Sequence, residues 1–480
     1  MTDSVRWMSA TDLASAYADG TLSPVTVADE LLATIGDVDR RLNAFCLIDA
    51  DTTMAAARAS QARHRTGKAL GPLDGVPVTI KDLLLTAGWP TLRGSLSIAP
   101  DSSEWTEDAP AVARLREAGA VLLGKVTTPE FGWKGVTDSP RTGITRNPWD
   151  TDRAAGGSSG GGAAAVAAGL GPLSVGTDGG GSIRIPAAFC GIVGFKPTLG
   201  RVPMYPASPF APVAHVGPMA RTVADVAALL DVIGRPDPRD WAALPAPTES
   251  FAAAVAGAPT SLAGIRVAYS PDLSFASNDP AVQSNTDACA EVLRGLGSVV
   301  DKVDLGWDDP VWAYHVIWFA GAAKVVGALD PPARERVDPG LLAALERHRD
   351  FSAADYVDAT ALRMDLGRQM GVLHQDYDVL LTPAMPTPAI EAGVDVPRGS
   401  ASPDWASQDW TSWTPYTYPF NLTGQPAVTV PSGLAADDGA VLPTGVQFVG
   451  ARHADTTVLQ VASAYEAAAA FEGLDQRGMR

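Results

Sequence analysis

The chain reads as an α/β fold built on a mixed β-sheet, and two observations carry that reading. Short apolar strand-like runs, such as residues 76–80 and 427–430, alternate with longer amphipathic or alanine-rich helical stretches. The 47 glycines and 38 prolines fall in discrete loops between these runs, which excludes a disordered chain. No internal repeat or flexible linker divides the sequence, so one domain is expected over residues 1–480. Its parts are N-terminal helices over 1–65, a core over 66–235, a helical excursion over 236–375, and strands and helices over 376–480 that complete a central sheet flanked by helices.

Residues 9–40 read as two short amphipathic helices, with Ser9 and Ser23 as N-caps and Pro24 in a first turn. Residues 51–65 are alanine-rich and helical. Residues 71–75 turn the chain into the strand that ends at Lys81. A helix over 109–118 stops at Gly119, and 120–123 form a short buried strand. Residues 163–168 predict a compact helix of small residues, against which neighbouring backbone packs closely. Residues 191–195 read as a central strand that ends at Lys196 and Pro197. Thr222 and Asp225 open a helix over 222–233 with a capping-box pattern. From about 235 to 375, helices alternate with polar turns and carry little chemistry. Strand patterns return at 379–381, 427–430 and 446–449.

Composition narrows the function classes. With 46% hydrophobic and 19% charged positions, the chain is globular and large enough for an extensive core. A formal charge of −18 with no Lys/Arg block repels phosphate backbones, so nucleic acid is not expected as a partner. Cys46, Cys190 and Cys289 are isolated, which argues against a disulfide framework and fits a reducing cytoplasm. Cys190 follows Phe189 in an apolar setting and reads as a buried structural thiol. The first 20 residues lack an apolar signal core and no run approaches about 18 apolar residues, so a cytoplasmic protein without membrane contact is expected. His64, His215, His315, His348, His374 and His453 lie far apart and never form HExxH, so no metal is expected. His215 and His453 read as loop or satisfied core histidines.

The chemistry concentrates in two glycine-rich segments. One reads Gly156-Gly157-Ser158-Ser159-Gly160-Gly161-Gly162, the other Gly176-Thr177-Asp178-Gly179-Gly180-Gly181-Ser182-Ile183-Arg184. A nucleophile with an oxyanion hole needs this combination: a hydroxyl beside backbone N–H groups that no side chain obstructs. A Gly/Ser run alone reads as a linker. A second such motif, its serine 24 residues after Ser158, overturns that reading. Residues 156–160 also satisfy GxSxG, but the preceding residues 146–153 are polar and turn-like where a nucleophile elbow needs an apolar strand. A phosphate loop is excluded because no GK[ST] follows.

Together with Gly75-Val76-Pro77-Val78-Thr79-Ile80-Lys81-Asp82, Gly194-Phe195-Lys196-Pro197-Thr198 and Asn421-Leu422-Thr423-Gly424-Gln425-Pro426, these segments make the chain resemble the amidase signature family over nearly its whole length. The resemblance implies the amidase signature fold and a Ser–cis-Ser–Lys triad. Ser182 would be the nucleophile, Ser158 the bridging serine behind a cis Gly157–Ser158 peptide, and Lys81 the ultimate base. Gly179, Gly180, Gly181 and Ser182 would donate N–H groups to the oxyanion, and Gly157, Ser159, Thr177, Asp178 and Arg184 would support them. Many relatives carry a larger residue at the Gly179 position, so glycine there is expected to loosen the pocket wall.

The physical reading runs beside the resemblance. A serine hydroxyl needs a base, no Asp–His pair is suitably placed, and a lysine buried at a strand end can be uncharged. Asp82 points to the opposite face from Lys81 and need not pair with it. The expected reaction is hydrolysis of a carboxylic amide through an acyl-serine, with no cofactor or metal and a small-molecule amide or carbamate as substrate. Urethane hydrolysis, aryl amides, esters and nylon-type oligomers are reachable by the same triad. The glutaminase-type component of a tRNA-dependent amidotransferase, its A chain, ranks below these, because residues 205–212 resemble those of stand-alone amidases. A homodimer is compatible with the resemblance. Residues 128–140, 204–215 and 405–421 are candidate pocket walls for an apolar or aromatic substrate. Trp405, Trp410, Trp413, Tyr416, Tyr418 and Phe420 either line that pocket or pack in the core or an interface.

Overall fold

Local capping sets the N-terminal helices. Ser9 precedes α1 (Ala10–Ala18) and Ser23 precedes α2 (Pro24–Leu42), each hydroxyl accepting an N–H three residues on. The computed structural model describes residues 5–258, 260–397, 409–469 and 471–477. Beyond α2 the chain forms β1 (Phe45–Ile48), α3 (Ala50–Arg65), β2 (Pro77–Lys81), α4 (Pro110–Glu117) and β3 (Val121–Val126). A small hairpin, β4 (Asp138–Ser139) and β5 (Gly143–Ile144), stands apart from the main sheet. Then come α5 (Gly160–Ala167), β6 (Leu173–Asp178), α6 (Arg184–Cys190), β7 (Val193–Lys196), β8 (His215–Ala220) and α7 (Val223–Ile233). The excursion supplies α8 (Phe251–Ala256), β9 (Arg266–Tyr269), α9 (Pro280–Gly295), β10 (Val299–Lys302) and α10 (Val311–Gly327). There follow α11 (Pro331–Arg334), α12 (Pro339–Arg347), α13 (Ala353–Asp376), β11 (Val379–Pro383), α14 (Pro419–Thr423), β12 (Ala427–Asp437), β13 (Ala440–Gly450), α15 (Asp455–Ala468) and α16 (Leu474–Arg477).

Eleven strands join in the order β1-β3-β2-β6-β8-β7-β12-β13-β11-β9-β10. The sheet is mixed, as expected: β3, β2 and β6 run parallel, and β6 through β11 pair antiparallel with their neighbours. At the far edge β9 and β10 are again parallel. Strands β2, β3, β8 and β11 are buried at every position, the signature of a sheet covered by helices on both faces. No helix among the described residues is long and apolar enough to cross a membrane.

Three expectations are corrected. Residues 236–375 do not form helices and turns alone: β9 and β10 extend the sheet through pairing that no local pattern announces. The helix expected at 163–168 starts at Gly160, because its three glycines face close neighbours. A Cβ on Gly162 would lie 2.8 Å from Met219 Cε, and one on Gly160 2.8 Å from Thr137 Cβ. The capping box at α7 is half built. Thr222 Oγ1 accepts the Asp225 N–H at 3.2 Å, but the Asp225 carboxylate instead accepts Ala10 N–H at 2.9 Å and Thr11 N–H at 3.0 Å. It thereby places a negative charge at the start of α1.

Candidate active site

The parallel strands β2 and β6 pair Ile80 with Val175, so their C-terminal ends bring Lys81 and Thr177 to one edge of the sheet. The next parallel neighbour, β3, ends there too, and α5 starts beside them with Ser159 at its N-cap. Connections leave parallel strands at their C-terminal ends, and sites in such sheets form there.

Lys81 is fully buried. Its Nζ lies 2.8 Å from Ser158 Oγ, 2.8 Å from Ser159 Oγ and 2.9 Å from Thr177 Oγ1. Burial pushes its pKa well below the ordinary lysine value, and the Asp178 charge opposes this only in part. An uncharged amine donates two hydrogens and accepts one. Ser159 Oγ gives its own proton to Thr177 O at 3.0 Å, so it can only accept from Lys81. The proton that the amine accepts therefore comes from Ser158 or Thr177. Asp82 turns away, as strand alternation requires, into a 3.0 Å ion pair with buried Lys125.

The Gly157–Ser158 peptide is cis. A Cβ on Gly157 would lie 2.5 Å from the Val136 carbonyl carbon, so glycine is needed for this approach. Ser182 sits on the loop between β6 and α6, 6% exposed, and its carbonyl accepts the Ser159 N–H at 3.0 Å. Ser158 and Ser182 face one cavity. Among the described residues the Ser182 hydroxyl makes no hydrogen bond to Ser158; contacts of this kind tighten when substrate binds.

Asp178 organises that loop. Its carboxylate accepts Gly181 N–H at 2.8 Å and Ile183 N–H at 3.2 Å, and Arg184 grips both oxygens at 2.9 Å. Arg184 also donates to Gln447 and Asn421, each at 2.6 Å. Burial alone would raise the Asp178 pKa, but the Arg184 guanidinium, with Lys196 and Asn421, holds it below the usual carboxylate range. Here the structure corrects the expected donor set: Gly181 N–H is already engaged and does not face an incoming oxyanion. The N–H groups of Gly179, Gly180 and Ser182 make no such bond among the described residues.

The expected loosening at Gly179 is also corrected. Trp318 of α10 fills the space: a Cβ on Gly179 would lie 2.6 Å from its ring, and one on Gly180 would meet Tyr314 Oη and lie 2.8 Å from Trp410. Trp410, Trp413, Tyr416, Tyr418 and Phe420 are all buried, and Trp410 backs the glycine loop. Trp405 lies outside the described residues, as do 406–408.

The cavity over the serines measures about 200 Å³. Of the expected walls, 128–140 contributes Phe131 and Gly132, and 204–215 contributes Met204 through Phe210 with Ala214 and His215; none of residues 409–421 lines it. Sequence reasoning missed Arg93 and Trp318 as wall residues. The smallness of Gly179 was the one available signal for Trp318. Burial and then Lys196 push the His215 pKa well below the ordinary histidine value, and its Nδ1 lies 2.9 Å from Val213 O. Cys190 is buried, and burial raises its thiol pKa, as a structural thiol requires.

The histidines are not all far apart in space. His315, His348 and Asp409 converge. However, His315 Nε2 is engaged by Thr411 Oγ1 at 2.6 Å, and Arg347 takes an Asp409 oxygen at 2.6 Å, placing a positive charge where a cation would sit.

Comparison with known proteins places this geometry. The family described as Amidase matches residues 26–459. The chain is 36% identical to an acylamidase of Rhodococcus erythropolis over 96% of both chains. It is 35% identical to the A chain of the glutamyl-tRNA(Gln) amidotransferase of Chloroflexus aggregans over 94% of both. A solved bacterial aryl acylamidase of the amidase signature family superposes with a TM-score of 0.87 at 29% identity, covering 97% of each chain.

Proposed function

We propose, from the premise that the chain belongs to the amidase signature family, that it hydrolyses carboxylic amides through an acyl-enzyme on Ser182. The observation that carries this reading is the buried Lys81 amine, its pKa pushed well down by burial, 2.8 Å from Ser158 beneath a largely apolar cavity that also holds Ser182. Ser182 Oγ attacks the carbonyl carbon; its proton passes to Ser158, whose own proton is taken by Lys81. The oxyanion of the tetrahedral intermediate accepts hydrogen bonds from the N–H groups of Gly179, Gly180 and Ser182. Collapse expels the amine, which leaves with the proton returned through Ser158. Water then attacks the acyl ester by the same route and releases the acid. The eleven-stranded sheet, continuous from β1 at one edge to β10 at the other, supports treating the chain as one domain.

The test is the purified chain alone, without ATP or partner proteins, on a panel of anilides, aliphatic amides and aryl carbamates. Turnover of an anilide with a trapped acyl adduct on Ser182, both lost in Ser182→Ala, is expected. Wild-type turnover by Ser182→Ala would sink the assignment. Activity that required partner proteins would favour the amidotransferase reading, and faster turnover of carbamates than amides would favour a urethanase.

A further inference from the structure

Arg93 stands out among the residues of the catalytic cavity. It lines the cavity half-buried, yet its guanidinium makes no hydrogen bond or ion pair with any described residue. Two other half-buried arginines are partnered: Arg63 pairs with Asp74 at 2.5 Å, and Arg141 donates to Ile98 O at 2.7 Å. The guanidinium nitrogens of Arg93 are not among the sealed polar atoms that lack a partner, so they reach open space, and Arg93 lines the cavity. The neighbouring acid, Asp82, acts on Arg93 through its charge but forms no ion pair with it. Asp82 is held by Lys125 at 3.0 Å and accepts Leu92 N–H at 3.3 Å and Gly94 N–H at 3.4 Å.

The backbone that carries this cation is pinned. Arg93 adopts left-handed φ of 55°, and its carbonyl accepts the N–H of Phe131, itself left-handed at 53°. Two non-glycine residues in this region, bonded to each other and both lining the cavity, are a costly arrangement of the kind found at functional sites. The facing wall is apolar, with Leu84, Phe210, Trp318 and Val325. A guanidinium without a hydrogen-bonded partner, in a largely apolar cavity, matches the planar geometry of a carboxylate.

We propose that Arg93 is a specificity residue that pairs with a substrate carboxylate, so that the preferred amides carry an acid group on an apolar or aromatic body. This rests on the amide-hydrolase reading above. In the Michaelis complex the carboxylate accepts two N–H groups of Arg93 while the scissile carbonyl lies over Ser182.

Two matched substrate pairs test it: glutaryl against pentanoyl 4-nitroanilide places the acid on the acyl side, and 3-acetamidobenzoate against acetanilide places it on the amine side. Wild type is expected to prefer the charged member of at least one pair by kcat/KM. Arg93→Met should lower that preference by about 10–100-fold, chiefly through the KM of the charged substrate. Arg93→Lys should retain part of the preference. Charged-to-neutral ratios that Arg93→Met leaves unchanged in both pairs would overturn the proposal while the amide reading stands. If no amide turns over, the amide reading fails separately. Glutarate and benzoate binding to Ser182→Ala, followed by tryptophan fluorescence with and without Arg93→Met, then decides: Arg93-dependent binding supports the proposal, and equal binding refutes it.

Discussion

Replacing Lys81 with methionine separates its chemical role from its structural one. Methionine keeps the linear side chain but removes the amine that lies 2.8 Å from Ser158. Loss of a positioned base costs about 10²–10⁴-fold in rate, or about 2.7–5.4 kcal/mol of barrier. A second consequence follows from burial. The Lys81 pKa lies well below its ordinary 10.5 in the fold, so between the folded value and 10.5 the unfolded chain binds one proton more than the native one. Stability then rises with pH across that window, by about 1.4 kcal/mol per unit. Lys81→Met lacks this slope. The hydroxyls it strands on Ser158 and Thr177 add a cost that does not vary with pH. Urea unfolding of both proteins at pH 7.5, 8.5 and 9.5 should show wild type gaining on the variant as pH rises, by about 1.4 kcal/mol for each unit inside that window. Lys125 and Lys196 are also depressed by burial but are common to both proteins, so the difference isolates Lys81. Parallel stability curves, or wild-type turnover by the variant, would refute an uncharged base at this position.

Arg184→Met should destabilise the fold by about 3–5 kcal/mol in urea, because it leaves the fully buried Asp178 carboxylate without its ion partner; adding Asp178→Asn should recover part of the loss. Gly179→Ala drives a methyl to 2.6 Å from the Trp318 ring and should cost about 1–3 kcal/mol. Combining it with Trp318→Leu should cost less than the sum of the single changes, and strict additivity would show that Trp318 does not fill the space glycine leaves.

The local features were legible because their causes are local. Ser9, Ser23 and Thr222 cap helices through N–H groups three residues on, a relation written into the sequence itself. The two glycine-rich segments and the strand ending at Lys81 announced hydroxyls, unobstructed N–H groups and a buried amine, and the fold brings Lys81 and Ser158 together across 77 positions. What escaped depends on partners far along the chain. Strands β9 and β10 are short and gain their place only by pairing beside β11. Glycine at 181 leaves its N–H unobstructed, which suggests an oxyanion donor, yet folding aims that N–H at Asp178.

By itself, then, the sequence determined which groups could do chemistry and which helices start where, since side-chain type and capping act over a few residues. Tertiary structure alone decided which N–H groups stay available, that Trp318 closes the wall beside Gly179, and that Arg93 lines the cavity without an ion-pair partner among the described residues. Those outcomes are set by the packing of segments tens to hundreds of residues apart, where burial, not local preference, assigns each polar group its partner.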